Sequence, residues 1–363
     1  MSPRERYRDE LAHGVLRSDP AQAALVEELE RVHRSLLTRC DDGLLARLAH
    51  RLGRRGDAPV RGLYIWGGVG RGKTHLVDLF FRTSGLDAKL RIHFHRFMQS
   101  VHGELKALPD REDPLGIVAA RIAKRARLLC FDEFHVSDIT DAMILGRLLA
   151  GLFEHGTTLV ATSNIKPSGL YADGLQRERF LPAIALIERH TKVIQLDGGA
   201  DYRLRALERV RMWYAPLGPE ADRGLAECFR ALAPVDVEGG GVLVILGRPV
   251  PTVRHAAGIA WFDFEALCAG PRSVADYIEI ARDFHSVILS GIPVLDDGRR
   301  DPVRRLIHLV DELYERNVNL IASAAAPPDG LYCGRRLAEP FERTRSRLFE
   351  MQSTDYLGRE HIP

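Results

Sequence analysis

The sequence has no cysteine pair at C-x-x-C spacing. Its five cysteines, at 40, 130, 228, 268 and 333, are odd in number and far apart. That excludes the disulfide framework of a small secreted domain and argues against a structural zinc site. No apolar run approaches the ~18 residues of a membrane span. The opening residues, Met1 to Arg8, are charged and lack the apolar stretch of a secretory signal. Together these features predict a cytoplasmic protein without a transmembrane segment. Charge of one sign is also lacking. Lys plus Arg total 51 against 49 for Asp plus Glu, and aromatic residues make up only 7%. A groove for nucleic acid is basic and rich in stacking side chains, so nucleic acid is not an expected partner.

The chain has 363 residues, of which 45% are hydrophobic, enough for two domains, or one large one with an appendage, and for a real core. Residues 67–74 read Gly67, Gly68, Val69, Gly70, Arg71, Gly72, Lys73, Thr74. This is the G-x-x-x-x-G-K-[ST] spacing. Glycines let backbone N–H groups converge on phosphate oxygens. Lys73 adds a cation for the β- and γ-phosphates, and Thr74 offers a hydroxyl to Mg²⁺. The apolar run Leu63–Trp66 reads as a strand, and a helix beginning about His75 reads as the anion-binding terminus that follows it.

Residues 4–51 read as amphipathic helix, with Asp19 as N-cap before Pro20 and Leu25, Leu29, Val32 and Leu36 on one face. Gly53–Pro59 reads as a loop. Further strands are predicted at Leu90–His95, Arg127–Phe131, Thr157–Thr162 and Lys192–Leu196. The longest helix between them is Asp138–Phe153, with Ile139, Ala142, Met143, Leu145, Leu148, Leu149 and Leu152 on its apolar face. Alternating strands and helices predict an α/β P-loop NTPase core, a parallel sheet with helices on both faces. After about residue 200 the pattern becomes mixed. Val242–Leu246, Val250–Arg254 and Ile259–Phe264 read as a meander. Helices at 272–284, 302–316 and 337–350 surround strands at Ser286–Ile292 and Asn317–Ala322. The predicted domains are an N-terminal helical segment (1–58), the ATPase-type core (59–200) and a mixed α/β domain (201–363).

One internal echo is visible. Leu152-Phe153-Glu154-His155, Thr158–Asn164 and Gly169-Leu170-Tyr171 match Leu313-Tyr314-Glu315-Arg316, Asn319–Ala324 and Gly330-Leu331-Tyr332. Convergence on a helix–strand–loop pattern is the simpler source; a degenerate second nucleotide-type lobe is the alternative.

Chemistry follows the phosphate loop. Leu128–Glu133 is a strand ending in two carboxylates. Asp132 stands where a second-shell Mg²⁺ contact is expected, and Glu133 can polarise an attacking water. Asn164 ends the next strand. If that strand lies between the other two, Asn164 faces the γ-phosphate. Arg177 and Arg179 follow in a polar stretch; either, reaching a neighbour's γ-phosphate, would stabilise transition-state charge and require a head-to-tail homo-oligomer. His93 and His95 on one strand face, with His102, form a weak metal candidate without a third well-spaced ligand. Arg203, Arg205, Arg343, Arg345 and Arg347 read as solvated positions more readily than as phosphate contacts.

These stretches together resemble the ZapE-type cell-division ATPases of the AAA+ class. The resemblance is carried by 67–74, His-Phe-His-Arg-Phe-Met at 93–98, Leu-Cys-Phe-Asp-Glu-Phe at 129–134, Val-Ser-Asp-Ile-Thr-Asp-Ala-Met at 136–143 and Ala-Thr-Ser-Asn at 161–164. It continues through Gly-Leu-Gln-Arg-Glu-Arg-Phe-Leu-Pro at 174–182, Asp-Tyr-Arg at 201–203 and Glu-Met-Gln-Ser at 350–353. It implies ATP hydrolysis with Mg²⁺ and action on the tubulin-like polymer of the division ring. It implies roles for Lys73 and Thr74 toward nucleotide and Mg²⁺, for Asp132 and Glu133 in catalysis, with Asp132 also a metal contact, and for Asn164 as sensor; the loop itself is expected to contact nucleotide along 67–75, including His75. It does not separate Arg177 from Arg179, and no ordinary AAA+ lid is recognisable after residue 200. A helicase-loader-like ATPase acting with nucleic acid is the alternative.

Overall fold

The computed structural model describes residues 1–14, 16, 18–41, 59–68, 70–196, 207, 210–233, 239–256 and 258–362. The chain divides into two compact units, Met1–Gly199 and Ala200–Pro363.

In the first unit, helices α1 (Pro3–Ala12) and α2 (Pro20–Asp41) precede strand β1 (Gly62–Trp66) and helix α3 (Lys73–Thr83). Then come β2 (Lys89–His93), α4 (Phe94–Lys106), α5 (Pro114–Arg125), β3 (Leu128–Asp132), α6 (Ile139–Glu154), β4 (Thr158–Ser163), α7 (Leu181–His190) and β5 (Thr191–Gln195). The strands are all parallel, in the order β2-β3-β4-β1-β5. Strand side chains alternate between the two faces. Leu63, Ile65, Leu128, Cys130 and Val160 pack under α1, α2 and α3, against Tyr7, Leu25, Leu29, Val32, Leu76 and Phe80. Tyr64, Leu129, Phe131, Leu159 and Ala161 pack on the opposite face against α4–α7. Both faces are covered, which is why these strands read as nearly continuous apolar runs.

The expected Asp19 cap is present: its carboxylate accepts from the N–H groups of Ala21 (2.8 Å) and Gln22 (3.3 Å). The expected strand through His95 is corrected. β2 ends at His93, and Phe94, Phe97, Met98 and Val101 bury one face of a helix instead. Their three- and four-residue spacing outweighs the short alternation. His93 and His95 therefore do not share a strand face; His95 lies on α4 beside Gln99. Ile139, placed on the apolar face of α6 by its spacing, is exposed in the first turn. The predicted helix from 42 to 51 and the Gly53–Pro59 loop, through residue 58, lie outside the described residues.

The second unit contains β6 (Trp213–Tyr214), α8 (Pro219–Leu232), β7 (Gly239–Ile245), β8 (Arg248–Ala256) and β9 (Ile259–Asp263). They are followed by α9 (Val274–Asp283), β10 (Ser286–Ile292), α10 (Arg300–Glu315), β11 (Asn319–Ala324), α11 (Ala338–Glu350) and α12 (Thr354–Leu357). The sheet order is β6-β11-β10-β9-β8-β7, parallel from β6 to β9 and antiparallel beyond. The strand expected at Asn317–Ala322 runs two residues later, because Asn317 takes a left-handed conformation (φ 54°) at the turn after α10.

The order β6-β11-β10-β9 repeats β1-β4-β3-β2 of the first unit with the same parallel sense. The echoing segments occupy corresponding places. β4 and β11 each follow a long helix and each lead into a 3₁₀ turn, Pro167–Gly169 and Pro328–Gly330. The likeness thus extends from local pattern to strand order, which favours a degenerate second lobe over convergence. In that lobe β6 leads to α8 through Ala215-Pro216-Leu217-Gly218, without a Gly-Lys-Thr.

Candidate active site

β1 ends at Trp66, and the chain turns back toward β4, with the Gly67 N–H donating to the Ser163 carbonyl at 3.3 Å. Gly70 (φ 75°) and Gly72 (φ 85°) take the left-handed conformation that glycine adopts without penalty. At Gly72 a β-carbon would also lie only 2.9 Å from the Gln22 side-chain nitrogen. The loop then enters α3 directly at Lys73, so the first-turn N–H groups and the helix dipole face the same space. Gly67, Gly68, Gly70, Arg71, Gly72, Lys73, Thr74 and His75 are all described. Val69 lies outside the described residues.

The Lys73 ammonium is buried. It donates to the carbonyls of Gly67 (2.6 Å) and Gly68 (2.7 Å) and to Asn164 Oδ1 (3.0 Å). This meeting depends on strand order. β4 lies between β1 and β3, so the residue just past β4 stands beside the phosphate loop. The same order brings the end of β3 to the other side of Asn164.

Asp132 is buried at the end of β3 and gripped by Arg91 of β2, with Nε at 2.7 Å from Oδ2 and Nη2 at 3.2 Å from Oδ1. Arg91 also pairs with Asp78 on α3 and donates to the Thr74 carbonyl at 3.3 Å. Burial opposes the guanidinium charge, but Asp132 and then Asp78 outweigh it, so its pKa is raised. This arginine ties β2, β3 and the phosphate-loop helix together. Sequence reasoning missed it. The available signal was a lone arginine amid the otherwise apolar Leu90–Ile92 of a strand beside the carboxylate strand.

Glu133 has φ 52°, a left-handed conformation that is uncommon for a residue with a side chain. Its N–H meets Thr162 Oγ1 of β4 at 3.3 Å. Its Oε2 is 4.0 Å from His93 Nδ1. Burial lowers the pKa of nearby His135, and the Glu133 charge only partly opposes this. Asp132 and Glu133 thus leave the strand toward different surroundings, one a fixed ion pair and the other a half-buried imidazole-lined wall. Strained backbone of this kind concentrates at functional sites.

Arg177 and Arg179 form a 3₁₀ turn after Gln176, which is itself left-handed at φ 58°. Arg177 Nη2 donates to the Ser168 carbonyl at 2.7 Å, while Arg179 is exposed. Among the described residues neither is hydrogen-bonded to Lys73, Glu133 or Asn164. Arg343 and Arg347 pair with Asp311 on α10, and Arg345 pairs with Glu342. Arg203 and Arg205 lie outside the described residues.

The N-terminal helices are part of this site, which their sequence did not signal. Gln22 Nε2 donates to the Arg71 carbonyl at 3.1 Å. Glu10 Oε2 is 2.7 Å from His75 Nε2, and Arg6 Nε is 3.1 Å from its other oxygen. Burial would raise the Glu10 pKa, but His75 and Arg6 outweigh it and lower it.

Thr74 and Asp132 are hard oxygen donors of the kind Mg²⁺ takes. With both oxygens of Asp132 held by Arg91, that carboxylate suits a water-bridged contact. The loop, the buried lysine, the strand-end Glu133 and Asn164 together can bind a triphosphate, orient a water and register its terminal phosphate.

Comparison with known proteins agrees with this chemistry. The model of the AFG1-like ATPase family matches residues 1–360. The chain is 46% identical over 370 residues to the cell division protein ZapE of Escherichia coli strain K12, covering 100% of this chain and 99% of that protein. It is 39% identical over 311 residues to lactation elevated protein 1 homolog B of Danio rerio, covering 82% of this chain and 62% of that one. Among solved structures, a crystal structure of DnaI matches at 17% identity and a TM-score of 0.36, covering 50% of this chain and 88% of that one. That likeness is too slight to carry an argument.

Proposed function

The chain belongs to the AFG1-like ATPase family, and from that premise we propose that its ATP hydrolysis is Mg²⁺-dependent and drives remodelling of a protein partner at the bacterial division ring. Lys73 binds the β- and γ-phosphates, Glu133 activates the water, and Thr74 and Asp132 hold Mg²⁺. Bound there, Mg²⁺ would neutralise charge developing on the phosphate oxygens. Asn164 reports the γ-phosphate, and Arg177 or Arg179 acts on the site of a neighbouring copy.

The observation that carries this reading is the contact between Lys73 Nζ and Asn164 Oδ1 at 3.0 Å. A γ-phosphate has to compete for the same ammonium, so its arrival and loss change the environment of the β4 end. That end leads through Pro167–Gly169 to the arginine turn. Hydrolysis thereby has a covalent path to the proposed interface with a neighbour. The division-ring role is supported by the E. coli relative, which is named a cell division protein.

The test is co-sedimentation of the Glu133→Gln protein, loaded with ATP, with the tubulin-like division polymer. Co-sedimentation with ATP, reduced on exchange for ADP, is expected. In the wild-type protein, turnover stimulated by single-stranded DNA and unaffected by the polymer would instead support the helicase-loader alternative.

A further inference from the structure

We propose that the outer edge of β7 is a docking site for an extended segment of a protein partner, which adds to the sheet as a further strand. The assignment does not depend on the nucleotide site. β7 is the last strand of the six-stranded sheet, and among the described residues no strand pairs with its outer edge. It runs from Gly239 to Ile245 without a charged residue or a proline. An exposed strand edge is a template for another chain, and folded proteins blunt such edges with charge, proline or shortness. The other three sheet edges follow that rule. β5 carries Lys192, β2 carries Lys89 and Arg91, and β6 has only two residues. β7 alone is long and unguarded.

The backbone geometry fixes where a partner strand would bond. β7 and β8 are joined by the two-residue turn Leu246-Gly247, both left-handed at φ 48° and 75°. A tight hairpin turn of this kind closes on a hydrogen-bonded pair. That pair is Ile245 with Arg248, and bonded and non-bonded pairs alternate from there. Leu243 and Gly241 therefore bond to β8, while Val242 and Val244 turn their N–H and C=O groups outward. Their partners across the hairpin are Pro251 and Pro249, which have no N–H to offer and so suit non-bonded positions.

The side chains define the occupant. Leu243, Ile245 and Val250 are buried in the core of the unit. Val242 is 59% and Val244 61% exposed, beside exposed Pro249 and Pro251. The two positions that offer main-chain groups thus also present valines to solvent. Main-chain bonds hold an extended segment there, and the valine–proline face selects apolar side chains at every second residue of it. The exposed residues are too few to hold a second folded copy, since a standard interface uses about 20–30 residues a side. A peptide segment needs only the strand.

The probe is a phage-displayed library of random peptides, selected on the full-length protein. Recovered sequences should alternate apolar and polar residues, and each, made as a labelled synthetic peptide, should bind saturably by fluorescence anisotropy. Val244→Pro removes one outward N–H and breaks no bond to β8. It should weaken these peptides about tenfold or more, while ATP affinity stays as in wild type. On the wild-type protein, N-methylation of the peptide at every second residue should abolish binding in one phase and spare it in the other. That comparison decides the matter even where the variant does not fold. No recovered peptide, equal binding to Val244→Pro, or indifference to N-methylation overturns the assignment. So does sedimentation that shows a dimer dissociated by Val244→Pro, which would make the occupant a second copy. None of these outcomes bears on ATP binding at Lys73.

Discussion

The ammonium of Lys73, at the start of α3, donates to the side-chain oxygen of Asn164, just beyond β4, across 3.0 Å. The two residues are 91 positions apart, and only the insertion of β4 between β1 and β3 brings them together. Asn164→Ala should leave ATP affinity within a few-fold of wild type, because the phosphate-loop amides and Lys73 remain. It should lower kcat on the order of 10²-fold, as for loss of one oriented polar group at a reacting centre. Steady-state kcat and KM measured together check this; a large rise in KM with unchanged kcat would make Asn164 a binding group only.

Arg91 is the counterion of two acids, Asp132 and Asp78, at the heart of the site. Arg91→Ala leaves buried carboxylates without it and should destabilise the first unit by about 3–5 kcal/mol. Arg91→Lys keeps the charge but not the two-pronged grip, so it should be milder in stability yet still impaired in turnover. Chemical denaturation of both variants checks the order.

Arg179 is exposed on its turn while Arg177 is tied to the Ser168 carbonyl. Arg179 is thus the arginine better placed to act in trans. Arg179→Ala should lower turnover with little change in ATP affinity. Mixing it with Glu133→Gln protein should recover activity, since one mixed interface pairs an intact Glu133 with an intact Arg179. Absence of recovery in demonstrably mixed oligomers argues against a shared site.

Asp297, after β10, accepts from the N–H groups of Arg335 and Arg336, each at 3.0 Å, and from the Tyr332 hydroxyl at 2.7 Å. These contacts lower its pKa from 3.8 to about 2. A lowered folded pKa means the carboxylate's contribution is complete above the unfolded value of 3.8 and is lost as pH falls toward 2. Asp297→Asn should flatten the acid limb of unfolding in that window. An unchanged profile would show that the contacts contribute nothing measurable.

Much of the fold and part of the site are legible in the amino-acid sequence. The phosphate loop announces itself because a tight anion-binding turn admits few residues, and β1, β3 and β4 read as strands because burial on both faces demands apolar runs. The start of α4 misleads: His93-Phe94-His95 alternates like a strand, and only the longer Phe94, Phe97, Met98, Val101 period betrays the helix. Arg91, Gln22 and Glu10 are not legible as site residues. Each acts through a tertiary contact, with Asp132, Arg71 and His75 respectively, and nothing local distinguishes a buried paired polar residue from a solvated one. The second unit shows its hairpin and helices in its sequence, and the echo between 152–171 and 313–332 hints at kinship to the first, but the shared strand order is what favours that kinship over convergence.

In the proposed mechanism Glu133, held at φ 52° beyond β3, activates the water that attacks ATP bound by Lys73. Single-turnover hydrolysis by Glu133→Gln, with nucleotide affinity measured on the same protein, tests it most directly. ATP should bind at near wild-type affinity and be cleaved on the order of 10²-fold or more slowly, within the range of general-base loss. Cleavage at the wild-type rate would contradict it.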